Sequence, residues 1–202
     1  LAIQRRRTSP VGVPYAVGLL VLVIVQGILG MLTVTWQLKP LIVTAHLLLG
    51  LTTLAMLFWL LLTLIRRGSR AWTQHAAFVG QPLHRARNLA LLGLALLTVQ
   101  LALGGWTSSN YAATACPDFP KCQDAWWPQT NFGDAFVPWR GLGINYEGGV
   151  LDHPARVAVH LTHRLGAILA AIALLYGSIV VLRERRDTAA RASAIAVHIA
   201  LT

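Results

Sequence analysis

Two histidines lie inside long apolar runs, where their side chains could bind a metal or move a proton. His163 lies in the sequence Val-His-Leu-Thr-His-Arg-Leu-Gly-Ala, six residues after an apolar run opens near Val157, and His46 lies at a similar depth in an earlier run. Ionisable side chains in a membrane-spanning helix are costly, so they usually face the bundle interior and hold a ligand. The pair therefore predicts a cofactor site.

Haem is the cofactor that suits these residues best. A neutral imidazole is a common axial ligand of haem iron, and a helix bundle accommodates a flat apolar macrocycle. Small residues beside each histidine would let the macrocycle approach the backbone: Ala45, Gly50, Gly166 and Ala167. The alternative for a lone histidine is a polar helix–helix contact worth about 0.6 kcal/mol. Two matched histidines favour the cofactor.

Arg164 and His160 accompany His163 in the predicted cofactor site. We expect Arg164 to pair with a haem propionate, a role open also to Arg156, Arg140 and Lys39, because charge-assisted bonds to carboxylates are strong. His160 precedes His163 by three residues, so both lie on one helix face. It could support His163, act as an acid or base toward a substrate, or simply lie nearer the membrane surface.

The two cysteines of the chain are close together, in Cys116-Pro-Asp-Phe-Pro-Lys-Cys122. On an oxidising face of a membrane, such a pair most simply forms a disulfide that closes a small loop. A closed zinc site needs four ligands, and too few are near. The spacing leaves open whether the bridge is structural or redox-active.

The elements that must position these residues are membrane helices. Of the residues, 55% are hydrophobic and 12% are charged, against roughly 25% charged in soluble domains. Four apolar stretches are long enough to cross about 30 Å of hydrocarbon, at about residues 11–34, 41–65, 89–106 and 157–182. A fifth, from Ser193, is cut short, and residue 1 is Leu, so we expect a fragment of an all-α integral membrane protein.

The net charge of +10 is distributed by loop. Twelve of the 17 basic residues lie near the ends of spans one to four that face the same side of the membrane. They are Arg5, Arg6, Arg7, Arg66, Arg67, Arg70, Arg85, Arg87, Arg183, Arg185, Arg186 and Arg191. This asymmetry places those ends in the cytoplasm. The charge therefore predicts orientation in a membrane and no nucleic-acid partner. His75 and His84 would lie in the inner loop, and His198 receives no role.

An internal repeat organises the chain. Gln26 to Thr33 and Gln100 to Thr107 share Gln-x-x-Leu-Gly-x-x-Thr at an offset of 74 residues, and each copy is followed by a span with a histidine. The chain thus contains two parallel two-helix units. From Thr107 to His163 is 56 residues, against 13 from Thr33 to His46. The second unit therefore carries a long outer insertion at 107–156, whose many aromatic residues predict an ordered cap at the membrane surface.

Several motifs resemble the haem A synthase family of the proteobacterial and mitochondrial type. They are Gln100–Thr107, Asn110–Ala113, Ala115–Cys122, Trp139–Gly143, Tyr146–Arg156 and His160–Arg164, together with residues 27–35 and 39–46 of the first unit. The resemblance covers nearly the whole chain. The cysteine loop and the His-x-x-His-Arg segment are its most specific parts.

The resemblance implies an eight-helix protein of two four-helix halves, which oxidises the ring methyl of haem O to the formyl group of haem A for terminal oxidases. Residues 1–88 would belong to the N-terminal half with its cytoplasmic linker, and 89–202 to the C-terminal half. His163 would ligate a resident haem B, and His46 the substrate haem O. It also implies a location in the bacterial inner membrane, with the cysteine loop on the periplasmic side. The implied partners are a haem O donor enzyme and oxidase assembly factors, and a homo-oligomer is compatible with the resemblance.

The family's catalytic glutamate precedes a His-Arg pair in helix two, outside these residues, so the catalytic residue is unknown. Neither position three residues before the two histidines carries a glutamate. Position 43, before His46, is Val, and position 160, before His163, is His. We therefore expect this chain alone to be inactive. Two other classes stay open: a quinol-linked di-haem b-type cytochrome, which would leave its haems unmodified, and a non-haem transporter, which would show parallel repeats but no haem spectrum.

Overall fold

The computed structural model describes residues 12–68, 84–184 and 195–197. Its helices are α1 (Val13–Thr35), α2 (Pro40–Gly68), α3 (His84–Ser109), the short α4 (Phe132–Ala135) and α5 (His153–Glu184), and residues 195–197 are also helical. Within these residues there is no strand, only a bridge between Cys122 and Ala125. The predicted all-α class is confirmed; the eight-helix arrangement stays a prediction.

Four helices are long and apolar enough to cross a membrane: Val13–Thr35, Pro40–Ile65, His84–Ser109 and His153–Arg183. Their apolar side chains largely face outward, and no residue of α1 is buried. A soluble protein would cover such surface, whereas a lipid-facing helix leaves it open. The chain is therefore a multi-pass membrane protein.

Two helices begin earlier than the apolar stretches indicated. The apolar stretches predict that the third span begins near Leu89 and the fourth near Val157, but α3 begins at His84 and α5 at His153. Hydropathy detects only the part of a helix inside the hydrocarbon, and polar turns can continue it outward. The Asp152 side chain caps α5 by accepting a 2.9 Å hydrogen bond from the Ala155 amide.

The early start of α3 corrects one placement. His84, Arg85 and Arg87 lie in the first turn of the helix and not in a loop, although the His84 side chain is exposed, as expected. Arg85 donates to the Tyr176 hydroxyl at 2.7 Å and so joins α3 to α5. The boundary placed between residues 88 and 89 therefore falls within α3. His75 and His198 lie outside the described residues.

The helices pack as two antiparallel pairs joined side by side. In the described part of the chain, α1 packs on α2, α2 packs on α3, and α3 packs most extensively on α5. Glycine allows the close approach between the pairs: a Cβ at Gly105 of α3 would lie 3.1 Å from Leu47 Cδ2 and 3.2 Å from Thr44 Oγ1 of α2. The two predicted units are thus adjacent.

The cap is shorter than the predicted 107–156, because α3 continues to Ser109 and α5 begins at His153. Residues 110–152 form an ordered cap on the first turns of α5. One small core joins Ala112, Ala135 and Leu151 to buried residues of α5, and Trp106 packs against it. The Trp106 indole also donates to the Ala135 carbonyl at 2.9 Å. Three large aromatic residues of the cap project outward, with exposures of 81% for Phe119, 71% for Trp126 and 73% for Trp127. Their contact with the membrane surface stays a prediction.

Candidate functional site

His163 of α5 faces α3, and its imidazole contacts a glutamine and a glycine of that helix. The amide nitrogen of Gln100 lies 2.9 Å from His163 Nδ1 and donates to the His163 backbone carbonyl at 3.1 Å. A Cβ at Gly104 would lie 3.4 Å from His163 Cε1, so the glycine leaves room for the ring. The histidine is half-buried.

The first unit repeats this arrangement with its own residues. Gln26 of α1 donates to the His46 backbone carbonyl at 3.1 Å, and a Cβ at Gly30 would again lie 3.4 Å from the histidine Cε1. Gly50 makes space for the glutamine, because a Cβ there would lie 2.8 Å from Gln26 Nε2. The sequence repeat is therefore also a repeat of contacts, and both predicted histidines face the first helix of their unit.

A cavity of about 540 Å³ opens beside His163. Ligand sites usually have volumes of roughly 300–1,000 Å³. The cavity lies between the C-terminal end of α3, the first residues of the cap and α5. Its lining residues are Gly104, Thr107, Ser108, Tyr111, Ala113, Thr114, His160 and His163.

His160 lines this cavity, but both of its ring nitrogens are engaged. Nδ1 lies 2.9 Å from the Ala112 carbonyl, to which it can only donate, and Nε2 accepts from Arg164 Nε at 3.0 Å. A ring with this pattern is neutral and has no free lone pair for a metal. The structure therefore supports a positioning role for His160, linking α5 to the start of the cap.

Arg164 binds the cysteine loop. Its two terminal nitrogens donate to the Lys121 carbonyl at 2.9 Å and the Cys116 carbonyl at 2.8 Å, and the guanidinium lies 5.7 Å from the centre of the Phe119 ring. The predicted pairing of Arg164 with a propionate is not tested by these contacts. They show that the residue holds the cap on α5.

Two other arginines proposed for propionates also hold the cap backbone. Arg140 donates to the Asp134 carbonyl at 2.6 Å and forms an ion pair with the same residue at 3.5 Å. Arg156 donates to the carbonyls of Leu151 at 2.9 Å and Gly148 at 3.3 Å. Carbonyl oxygens in loops need donors, and these cations supply them.

Lys39 fixes the cap to the turn between α1 and α2. Its side chain is only 2% exposed, and its Nζ donates to the Gly141 carbonyl at 2.6 Å. The ammonium lies 2.9 Å from the ring centre of Trp139 and 5.5 Å from that of Trp36. Burial among these groups lowers the pKa of Lys39. The cap thus contacts both units.

Cys116 and Cys122 form a disulfide, as predicted, with 4.7 Å between their Cα atoms. Both cysteines are buried against Val157 and Leu161 of α5. Inside the loop, the Asp118 carboxylate accepts from the Gln123 amide at 2.6 Å and the Asp124 amide at 3.0 Å. Desolvation raises the pKa of Asp118, but these amides, with the nearby Arg164 charge, outweigh it and lower the pKa.

Sequence reasoning used Gln26 and Gln100 to detect the repeat but gave them no contacts with the histidines. The available signal was that a polar amide recurs inside both apolar spans at the same offset from its glycine. It also missed Thr107 and Tyr111 as cavity residues. Among the described residues, no three His, Cys, Asp or Glu side chains cluster as a metal site. Haem iron needs the protein only for axial ligands.

Comparison with known proteins agrees with these features. The COX15-CtaA family model, described as cytochrome oxidase assembly protein, matches residues 1–202. A curated protein named heme A synthase, from Shewanella oneidensis, is 42% identical over 157 residues, which are 78% of this chain and 46% of that protein. The chain spans about half the length of this relative. No solved structure matches the chain. The chain belongs to the COX15-CtaA family of cytochrome oxidase assembly proteins.

Proposed function

We propose that the full-length protein is a haem A synthase, which oxidises the ring methyl of haem O to the formyl group of haem A. The observation that carries this proposal is the repeated contact of an intramembrane histidine with a glycine and a glutamine, once in each unit. A relative at 42% identity carries the name heme A synthase. Two equivalent histidine sites suit a protein that handles two haems.

The residues present fit a haem at His163. The imidazole lies at the wall of a cavity of about 540 Å³, and Gly104 keeps the facing helix clear of the ring. In this assignment His163 would hold the iron of haem B, which would supply electron transfer when bound. Gln100 orients the imidazole, while His160 and Arg164 hold the cap above the cavity.

His46 is assigned to the substrate haem O of the first unit. It repeats the contacts of His163 with the equivalent glycine and glutamine, which supports an equivalent ligand role. Gly30 leaves room for the His46 ring, and Gly50 leaves room for the Gln26 amide that contacts this histidine. The acidic residue that the family uses in catalysis is not assigned to any residue of this chain.

We place the protein in the bacterial inner membrane with the cysteine loop on the periplasmic side. The basic residues at the opposite helix ends support this orientation. In this role the protein receives haem O from the enzyme that makes it and delivers haem A to the assembly of terminal oxidases. The two units described here would be parts of an N-terminal and a C-terminal four-helix half.

The test compares His163→Ala and His46→Ala in the protein expressed at its full natural length. We expect His163→Ala to lose the bound haem B, because a methyl group cannot replace an iron ligand. His46→Ala should keep haem B and produce little haem A. Optical spectra and chromatography of extracted haems measure both. A di-haem cytochrome would yield no formylated haem in any variant.

His84→Ala is the matched control, because His84 is exposed in the first turn of α3. It should retain haem B content and haem A production. If His163→Ala retained the full haem B spectrum of the wild type, His163 would be a helix-contact residue and the ligand assignment would fail.

A further inference from the structure

The two glutamine–histidine pairs contain unusual buried polar atoms. Four buried side-chain atoms in the described part of the chain have no hydrogen-bond partner, and three of them are Gln26 Oε1, His46 Nδ1 and Gln100 Oε1. Buried polar atoms without a partner are rare, and each one in a native protein calls for a reason. The two glutamine oxygens occupy equivalent positions of the repeat, each on a side chain that contacts a candidate ligand, and the fourth atom is Thr44 Oγ1.

The chemistry of an imidazole ligand supplies a reason. A neutral histidine that binds a metal through Nε2 carries its proton on Nδ1, and this N–H normally donates to a carboxylate, a carbonyl or water. The only uncommitted acceptor that the glutamines offer is their amide oxygen. In the first unit, a bond from His46 Nδ1–H to Gln26 Oε1 would satisfy two of the orphaned atoms at once.

In the second unit the glutamine amide already lies at the ring. Gln100 Nε2 is 2.9 Å from His163 Nδ1, which makes Nδ1 an acceptor and leaves the proton on Nε2. A half-turn of the amide brings Oε1 to this position, so that Nδ1 becomes the donor and the Nε2 lone pair becomes free. The turn gives up the bond from the amide to the His163 carbonyl.

In each unit a glycine of the histidine helix leaves space for the glutamine amide. A Cβ at Gly50 would contact Gln26 Nε2 at 2.8 Å, and a Cβ at Gly166 would overlap Gln100 Oε1. These two glycines were expected to admit the macrocycle. Their contacts show instead that they accommodate the glutamines, one in each unit.

We propose that Gln26 and Gln100 are positioning residues that accept the Nδ1 proton of His46 and His163 through their amide oxygens. They thereby select the tautomer whose Nε2 can bind haem iron. This inference rests on the proposed haem-binding function. If instead each glutamine only bonds to the neighbouring helix backbone, its acceptor oxygen is irrelevant to the haem.

The experiment uses Gln100→Met and Gln100→Glu in the full-length protein. Met keeps the approximate volume and removes the acceptor, so we expect haem B affinity to fall about 10- to 100-fold, the usual effect of losing such a partner. Glu keeps an acceptor and strengthens it, so haem B should be retained with a more negative midpoint potential. Thr98→Val on the same helix is the control, because Thr98 bonds only to its own helix at Leu94 and is expected to change neither quantity.

Haem content by titration and midpoint potential by redox titration give two independent measurements. Wild-type affinity and potential in Gln100→Met would overturn the inference. If Gln100→Met does not accumulate, Gln100→Glu decides: a negative shift supports the inference, and an unchanged potential overturns it. These results are separable from the proposed function, because loss of haem in His163→Ala together with an unaltered Gln100→Met refutes only the role of the glutamine.

Discussion

Replacing Arg164 by methionine should loosen the cysteine loop without removing any covalent bond. The guanidinium donates to the carbonyls of Cys116 and Lys121, and each bond is at most partly buried. Such a hydrogen bond contributes about 1 kcal/mol net. Loss of both should therefore cost the closed loop about 2 kcal/mol, while methionine retains much of the apolar stem of the side chain.

The loop can be monitored through its own disulfide. Cys116 and Cys122 are only 4% and 1% exposed, so a reductant reaches them mainly when the loop opens. A destabilisation of about 2 kcal/mol corresponds to a roughly 30-fold larger open population. We expect dithiothreitol to reduce the disulfide roughly 30-fold faster in Arg164→Met, as measured by maleimide gel shift over time.

Arg140→Met provides the matched control. Arg140 binds a different part of the cap, at Asp134, and should leave the reduction rate within about twofold of the wild type. A rate in Arg164→Met that also stayed within this range would refute the conclusion that Arg164 holds the loop.

Two further predictions concern the same loop. Because the pKa of Asp118 is lowered in the folded protein, its carboxylate stabilises the loop above the unfolded-state pKa of about 3.9, and this contribution is lost as pH falls through the folded-state pKa. Proteolysis of the cap by an acid-active protease should therefore increase below about pH 4, and Asp118→Asn should flatten this dependence; an equal pH dependence in both proteins would contradict it. Second, a membrane-impermeant maleimide should label Cys116 and Cys122 in intact cells after mild reduction, and labelling that begins only after lysis would reverse the proposed orientation.

Much of the fold was accessible from the sequence because membrane helices follow simple rules. Apolar length predicted all four spans, and the short Gln-x-x-Leu-Gly-x-x-Thr repeat predicted that the two histidine helices are equivalent. The disulfide followed from two nearby cysteines. Helix starts were predicted less well, because hydropathy does not register the polar turns before Leu89 and Val157.

The partners of polar side chains were harder to predict. A sequence shows that Arg164 carries a charge near the membrane surface, but many acceptors compete for it there. Besides His160 in its own helix, its observed partners are carbonyls 43 and 48 residues away, which become available only because the loop turns back over α5. The same applies to Lys39, whose acceptor is 102 residues distant. Long-range contacts with backbone atoms leave no pattern in the side-chain sequence.

The inserted cap explains how two equivalent histidines occupy different positions in their helices. His46 follows the start of α2 by six residues, and His163 follows the start of α5 by ten, a difference of about 6 Å of helix. The first turn or two of α5 therefore project beyond the position at which α2 begins. There they are covered by the cap, which buries Val157 and Val159 completely. Cap residues then complete the cavity at His163. The contribution of the cap to this site supports the proposal that the second unit binds the haem that stays bound.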